Sequence, residues 1–327
     1  MIKPKLLITN AGRKVQVAEL FRSAFEVFVT ETGAPHNHAI WHAGFSGVVT
    51  PRVDDGKAYY DTVLEYCTTM GIKYILPTTD MELTGWALRA EDGVMRGVQA
   101  PTMTSRSIAA CLDKLETRMW FERAGCVMPD RQWQWPMMLK QRRGAGGRGA
   151  IICNSADDYA VLSRGCHADK WIMEQYIVGG KEHTVDVFYG PHGAVWGVAV
   201  RRRDEVRGGV ISRGQTVPVP DDVTITVDQL GTMLGLAGPV NMQYIVKDGC
   251  KYWLEINPRT SGGLPLSVAA GLDVPGMLLE YFTCDHDKAH YRKPIHARAG
   301  VRMCSYRRMA FSIPPDDKED YMEDDDE

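Results

Sequence analysis

The stretch that most constrains the fold is "KYWLEINPRTSGGLPLS", Lys251 to Ser267. It begins as an apolar strand, is interrupted by Glu255 and Asn257, stops at Pro258 and turns at Arg259 toward a pair of glycines. Side chains alternate across a strand, so Glu255 and Asn257 share one face while Leu254 and Ile256 point into the core. The strand before it, "VNMQYIV", connects through "KDG". A three-residue loop over Lys247, Asp248 and Gly249 sets Gln243 opposite Trp253, on the face of Glu255. A two-residue Asp-Gly turn sets it on the other face. The odd loop is the expectation, because it gathers oxygens from Gln243, Glu255 and Asn257. Hard oxygens in that number suit Mg²⁺ that also holds phosphate oxygens. Arg259, just beyond, is placed to steady a transferring phosphoryl group. A Glu255–Arg259 pair alone leaves Gln243 and Asn257 unexplained, and no His or Cys lies near enough for zinc.

The rest of the chain bounds what can surround this strand. At 327 residues and 44% hydrophobic content it can build two or three subdomains. No apolar run approaches the ~18 residues of a membrane span, and "MIKPKLLITN" does not read as a signal peptide. Eight scattered cysteines with no C-x-x-C pair argue for free thiols and a cytoplasmic setting. The tail Asp316 to Glu327 holds nine acids and one lysine, or −8, so a total of −3 leaves the body at +5. That suits anionic small molecules and lacks the dense basic stripe of a nucleic-acid binder. The tail reads as a solvated, disordered end, with docking or autoinhibition as the alternative.

Residues 1–102 alternate β and α: "KLLIT", a helical "KVQVAELFRSAF", "VFVTE", the helix "KAYYDTVLEYCTTMG" closing at Gly71, and "IKYILP". This is a small open parallel sheet. The turn "TNAGRK" lacks the later glycines of a dinucleotide fingerprint, so Gly12 reads as a tight strand-to-helix turn. Asp80 and Glu82 follow a strand's C-terminal end, where open α/β sheets bind ligands; an N-cap role for Asp80 is the alternative. Two helices then lead to the strand "PMMLK", the loop "QRRGAGGRGA" and the strand "IIC". The loop's glycines free backbone N–H groups for an anion and its arginines add charge, although a flexible surface turn has the same composition. In "KWIMEQYIVGGKEHTVDV", Glu174 to Ile177 can offer backbone groups to a flat base. Glu182, Thr184 and Asp186 share a strand face, with Glu182 placed for a ribose diol; a solvated acidic face is the competing reading.

In this order the motifs resemble the ATP-grasp superfamily, and within it the carbamoyl-phosphate-synthase-large-chain-like branch. The resemblance covers about residues 1–285: "ILPTTDMEL", "LDK", the lysine and Gly-rich loop, "MEQYIVGGKEHTVDV", "NMQY" and "LEINPRTSGGLPLSVAAG". It implies a mixed α/β and α+β chain. Residues 1–102 would be a small open parallel-sheet pre-ATP-grasp domain, 103–172 and 173–312 the two lobes of the grasp with a closing segment, and 313–327 the acidic tail. It implies ATP with Mg²⁺ or Mn²⁺ as cofactors. Lys114 and Lys140 would contact phosphates, and Gly146, Gly147 and Arg148 would cover them. Glu174, Tyr176 and Ile177 would hold adenine, and Glu182 the ribose. Gln243, Glu255 and Asn257 would bind the metal, with Lys140, Arg213 and Arg259 at the reacting groups. The implied reaction is phosphorylation of a carboxylate followed by attack of an amine or similar nucleophile; the alternatives are a kinase-like or carboxyphosphate-forming enzyme on the same scaffold, or a nucleotide-binding regulatory protein without ligase turnover. A single grasp unit, with no second synthetase half, is more similar to stand-alone carboxylate–amine ligases, cytoplasmic enzymes for which a homodimer is one permitted assembly. The arginines of "VRRRDEVRGGVISRGQTV" suggest the acceptor wall, with Arg203, Arg213, Arg259 and Asp80 as its contacts and Arg213 preferred over Arg203. A solvated basic strand and loop is the alternative.

Overall fold

The computed structural model describes residues 2–33, 37–132, 134–144, 149–287, 293–306 and 309. The first unit runs β1 (Lys5–Thr9), α1 (Val15–Phe21), β2 (Glu26–Thr32), the single turn α2 (Ala39–His42), β3 (Ser46–Thr50), α3 (Lys57–Met70), β4 (Tyr74–Pro77) and α4 (Asp80–Glu91). Its strands are parallel, in the order β3-β2-β1-β4. On β1, Leu6 and Ile8 join Val17, Ala18 and Phe21 of α1. Leu7 points the other way, to Tyr59, Tyr60 and Val63 of α3 and Trp86 of α4. Burial on both faces is why β1 reads as an unbroken apolar run. The edge strand β3 lacks that run because it is only partly covered, so its sequence does not announce it. The helix α3 closes at Gly71 with φ 65°, the left-handed cap expected there. Strand order reverses between β1 and β4, which opens a crevice beyond their C-terminal ends.

Two helices follow, α5 (Ser105–Leu112) and α6 (Lys114–Arg123). A small antiparallel sheet, in the order β6-β5-β7, is built from β5 (Met137–Gln141), β6 (Ile151–Cys153) and β7 (Trp171–Gln175), with α7 (Ala156–Leu162) packed on β6. The large sheet comprises β8 (Lys181–Tyr189), β9 (Val195–Arg207) and β10 (Val210–Val217), then β11 (Gly238–Lys247) and β12 (Cys250–Asn257) after helix α8 (Asp221–Leu234). Helices α9 (Leu264–Ala269) and α10 (Val274–Thr283) and the short strands β13 (Ile295–His296) and β14 (Arg302–Cys304) complete it. The strand path is β12-β11-β8-β9-β10-β14, with β13 alongside β9. One face buries Val185, Val187, Val198 and Val200 against Val223, Val227 and Leu230 of α8. The opposite face carries Phe188, Trp196 and Ala199 into the same core as Leu6, Ile8 and the residues Met277 and Leu278 of α10. The parallel sheet and the grasp lobe are therefore joined through one hydrophobic core. Helix α8 begins at Asp221. Asp221 and Asp222 favour its N-terminus, and burial of Val223 and Thr226 outweighs the poor propensity of β-branched residues.

Candidate functional site

The β11–β12 hairpin corrects the expected loop. Asp248 and Gly249 have φ of 50° and 80°, and Lys247 pairs directly with Cys250, so this is a two-residue Asp-Gly turn. That register alone would put Gln243 opposite Leu254 and away from Glu255. A bulge reverses the parity: Tyr244 pairs with Trp253, but Gln243 pairs with Glu255, leaving Leu254 as the extra residue. Leu254 consequently lines a cavity beside Glu255, while Trp253 and Ile256 are the buried core residues.

Strand pairing extends this into rows. Arg201, Thr184, Gln243 and Glu255 lie successively opposite one another on β9, β8, β11 and β12. The next row holds Asp186, Asn241 and Asn257. Asn257 Nδ2 donates to Glu255 Oε1 at 2.9 Å, and Gln243 Oε1 accepts from Arg203 Nη1 at 3.2 Å. The three oxygen-bearing residues are thus gathered, by a bulge rather than by an odd loop. The acidic face of β8 is not solvated as a whole. Thr184 and Asp186 are buried, and only Glu182, with a 45% exposed side chain, reaches the surface, where it pairs with Arg203 at 2.9 Å.

Two cavities meet over these rows. The smaller, about 370 Å³, has apolar walls from Met138, Ile177, Ile245 and Leu254, and it is also lined by Lys140, Glu174, Tyr176 and Glu182. Alternation on β5 aims Met138 and Lys140 at it while Met137 and Leu139 are buried behind. Lys140 is ion-paired with Glu174, which is 5% exposed, across the small sheet. Lys114, at the start of α6, donates from Nζ to the Gly144 carbonyl at 2.8 Å. Burial lowers its pKa, against the pull of the nearby Glu255 carboxylate. Gly146, Gly147 and Arg148 lie outside the described residues, as does the tail beyond Met309.

The larger cavity, about 800 Å³, reaches from Glu255 and Asn257 to Arg13, Lys14 and Thr78 at the crevice of the parallel sheet. Lys114, Gly144, Arg203, Gly209, Gln243 and Glu255 line both cavities and form the neck between them. Arg259 spans the two units: its Nε and Nη2 donate to Asp80 at 2.7 and 3.0 Å. Asp80 is therefore neither a free acceptor contact nor the helix cap. Thr79 caps α4 in a capping box with Glu82. Glu82 is fully buried and accepts from Thr9, Tyr59, Trp86, Thr79 Oγ1 and the backbone N–H groups of Thr78 and Thr79. It braces the crevice rather than binding a ligand.

Among the arginines of the expected acceptor wall, the structure sets Arg203 and Arg213 in different surroundings. Arg203 lines both cavities, and burial lowers its pKa. Arg213 lines neither. Its side chain is 62% exposed and lies 3.9 Å from Glu205. Gly214, not Arg213, lies opposite Arg203, so strand alternation turns Arg213 to the other face. Arg201, grouped with the wall only by composition, is 1% exposed and locked to Asp186 by Nε and Nη2 at 2.6 and 3.1 Å and to Ser261 Oγ at 2.9 Å. Gly263 closes on it: a Cβ there would sit 2.2 Å from Arg201 Nη1. Lys14 escaped the sequence reading, although an Arg-Lys pair directly after a strand-end glycine was the available signal. Its Nζ donates to Thr78 O at 2.6 Å and Oγ1 at 2.8 Å. Burial, then the charge of Arg259, lowers its pKa to about 8.

Parts of the chain are similar to known proteins. Residues 6–100 match the family model of a PylC-like N-terminal domain, and residues 167–305 match that of an ATP-grasp in the biosynthetic pathway with Ter operon. The arginine-specific large chain of carbamoyl phosphate synthase from Geobacillus stearothermophilus is 27% identical over 141 residues, which is 40% of this chain and 13% of that relative. This chain therefore matches only a small part of that much longer protein. Among solved structures, the biotin carboxylase domain of Hydrogenobacter thermophilus 2-oxoglutarate carboxylase, a dimer with MgADP, ADP and bicarbonate, superposes with a TM-score of 0.69 at 15% identity, covering 90% of this chain and 72% of that one. L-amino acid ligase from Bacillus licheniformis gives 0.66 at 16% identity, covering 86% and 75%. Among the described residues no helix is long and apolar enough to cross a membrane. The chain thus carries a match to an ATP-grasp family over residues 167–305, behind a match to a PylC-like N-terminal domain over 6–100, and is similar in sequence to part of the carbamoyl phosphate synthase large chain.

Proposed function

We propose that the protein is an ATP-dependent carboxylate–amine ligase. The observation behind this reading is the neck shared by the two cavities. A nucleotide in the smaller cavity would direct its terminal phosphate through Lys114, Gln243 and Glu255 into the larger one, where an acceptor has room. Met138, Ile177, Ile245 and Leu254 would enclose the adenine, the backbone around Tyr176 would pair with its edge, and Glu182 would take the ribose. The carboxylate of Glu255 and the carboxamide oxygens of Gln243 and Asn257 fit Mg²⁺ held jointly with phosphates. They are too few and too weakly charged to form an all-protein cage. When bound, the ion would neutralise charge on the transferring phosphoryl group.

In the reaction, a carboxylate oxygen of the acid attacks the γ-phosphorus and ADP leaves. The amine nitrogen then attacks the acyl carbon, phosphate leaves, and the amine gives up a proton. Arg259, held in place by Asp80, and Arg203 would steady the phosphoryl and acyl oxygens. The direct test is ADP and phosphate release from the purified chain against a panel of acids and amines. Release should require Mg²⁺, an acid and an amine together. The bicarbonate in the Hydrogenobacter relative supports a second reading, in which bicarbonate is the acceptor; ADP release with bicarbonate and no amine would select it.

Two substitutions check the placements. Lys140→Met keeps the stem but removes the cation, so nucleotide affinity by calorimetry should fall about tenfold, as for a lost charge-assisted contact. It also leaves the buried Glu174 unpaired, so the melting temperature should drop as well. Unchanged affinity would move the phosphates away from Lys140. Arg213→Ala should leave the Michaelis constants for ATP and acid unmoved, because its side chain is exposed outside both cavities. Arg203→Ala should raise that for the acid about tenfold or more. The reverse pattern in steady-state kinetics would restore Arg213 to the acceptor wall.

A further inference from the structure

The large cavity extends well beyond the space a phosphoryl group needs, up to the crevice where strand order reverses between β1 and β4. Crevices of this kind are where open α/β sheets receive ligands. The cations there differ in how closely the protein engages them. On the grasp side each arginine has an acid: Arg201 has Asp186, Arg203 has Glu182, Arg143 has Asp113, and Arg259 has Asp80. On the crevice side, Arg13 is exposed and has no ion pair among the described residues. Among the described residues Lys14 Nζ donates only to Thr78 O and Oγ1, leaving one of its three N–H groups for another acceptor. Asp80, Glu82 and Glu31 all attract the Lys14 charge, but each accepts its hydrogen bonds from other groups. Asp80 is taken by Arg259, and Glu82 is saturated by its hydroxyl, indole and backbone donors. Glu31 accepts from Thr32 through Oε1, while its Oε2 lies beside Gly12.

We propose that Arg13 and Lys14 form a subsite for an anionic group, a carboxylate or a phosphate monoester, at the end of a substrate remote from its reacting end beside Arg259. The assignment of the reacting end rests on the ligase reading above. It also defines the substrate class, since a substrate without a remote anion would leave the Arg13 guanidinium and the third Lys14 N–H unmatched, while an anion-bearing one would be held in line across the cavity.

Calorimetric titration of inorganic phosphate and of glutarate into the full chain at saturating MgADP tests the subsite without turnover. At least one anion should bind. Arg13→Ala, at an exposed position that leaves folding intact, should weaken binding about tenfold, Lys14→Met should weaken it likewise, and Arg143→Ala should not weaken it. Preference for phosphate or glutarate separates the two chemistries. Absence of binding by either anion, or loss only in Arg143→Ala, overturns the proposal. In turnover assays, matched substrates with and without a remote anion should differ, and Arg13→Ala should raise the Michaelis constant of the anionic member about tenfold with that for ATP unmoved. If no acid–amine pair releases ADP but Arg13→Ala still weakens anion binding, the ligase reading fails and the subsite stands. If neutral pairs turn over and Arg13→Ala changes neither measurement, the subsite fails and the ligase reading stands.

Discussion

Replacing Glu255 with alanine should lower ATP-dependent ADP release by about a hundredfold or more while the protein remains folded. Glu255 is the one carboxylate among the three residues assigned to the metal, and it lines both cavities at their neck. Without it two carboxamides remain, which carry no charge to offset the cation or to hold it against the phosphates. The structural cost is small. Asn257 Nδ2 loses its 2.9 Å bond to Glu255 Oε1 but keeps Asn241 Oδ1 at 3.4 Å. A lost hydrogen bond of that kind is worth about 1 kcal/mol, which for a chain of this size moves the melting temperature by only a few degrees. The measurement is ADP release across a magnesium titration, with circular dichroism to follow folding. Near-normal turnover at saturating magnesium would remove Glu255 from the metal site.

Arg201→Ala should be the most destabilising single change near the cavity, at about 3–5 kcal/mol. Arg201 and Asp186 are both almost completely buried, and Asp186 accepts from Arg201 twice and from Ser267 Oγ at 2.5 Å. Removing the guanidinium strands that carboxylate in a low-dielectric interior. It also frees Ser261 and opens space beside Gly263, in the turn that follows Arg259. Thermal denaturation should show the loss directly. The double variant Arg201→Met, Asp186→Leu should recover much of the stability, because it deletes both charges. Turnover should stay low in both, because the Ser261–Gly263 turn has lost its anchor. A melting temperature for Arg201→Ala within a degree or two of the parent would mean that Asp186 is not held by this pair.

Local pattern was enough for much of this molecule. The βα alternation of the first unit, the left-handed cap at Gly71 and the apolar run of β1 follow from periodicity and residue chemistry within a few positions of each other. The strand bearing Glu255 and Asn257, with Arg259 just beyond it, shows in the same way which polar groups gather at its end. Parity between strands was different. Whether Gln243 faces Glu255 depends on a two-residue turn and a bulge at Leu254 that offset each other, and both depend on how Trp253 and Tyr244 pack in the core. Arg203 and Arg213 sit in the same basic stretch, and only the register of β9 against β10 assigns one to the cavity and the other to solvent. Glu82 looked like a ligand and is a brace, because Tyr59 and Trp86 arrive from α3 and α4 to saturate it. Lys14 became visible only once the parallel sheet and the Arg259 turn closed on one cavity. The sequence alone determined the elements and the kinds of groups they carry, since propensity and spacing act over a few residues. Tertiary structure decided which groups meet, because register and domain apposition are set by burial across the whole chain.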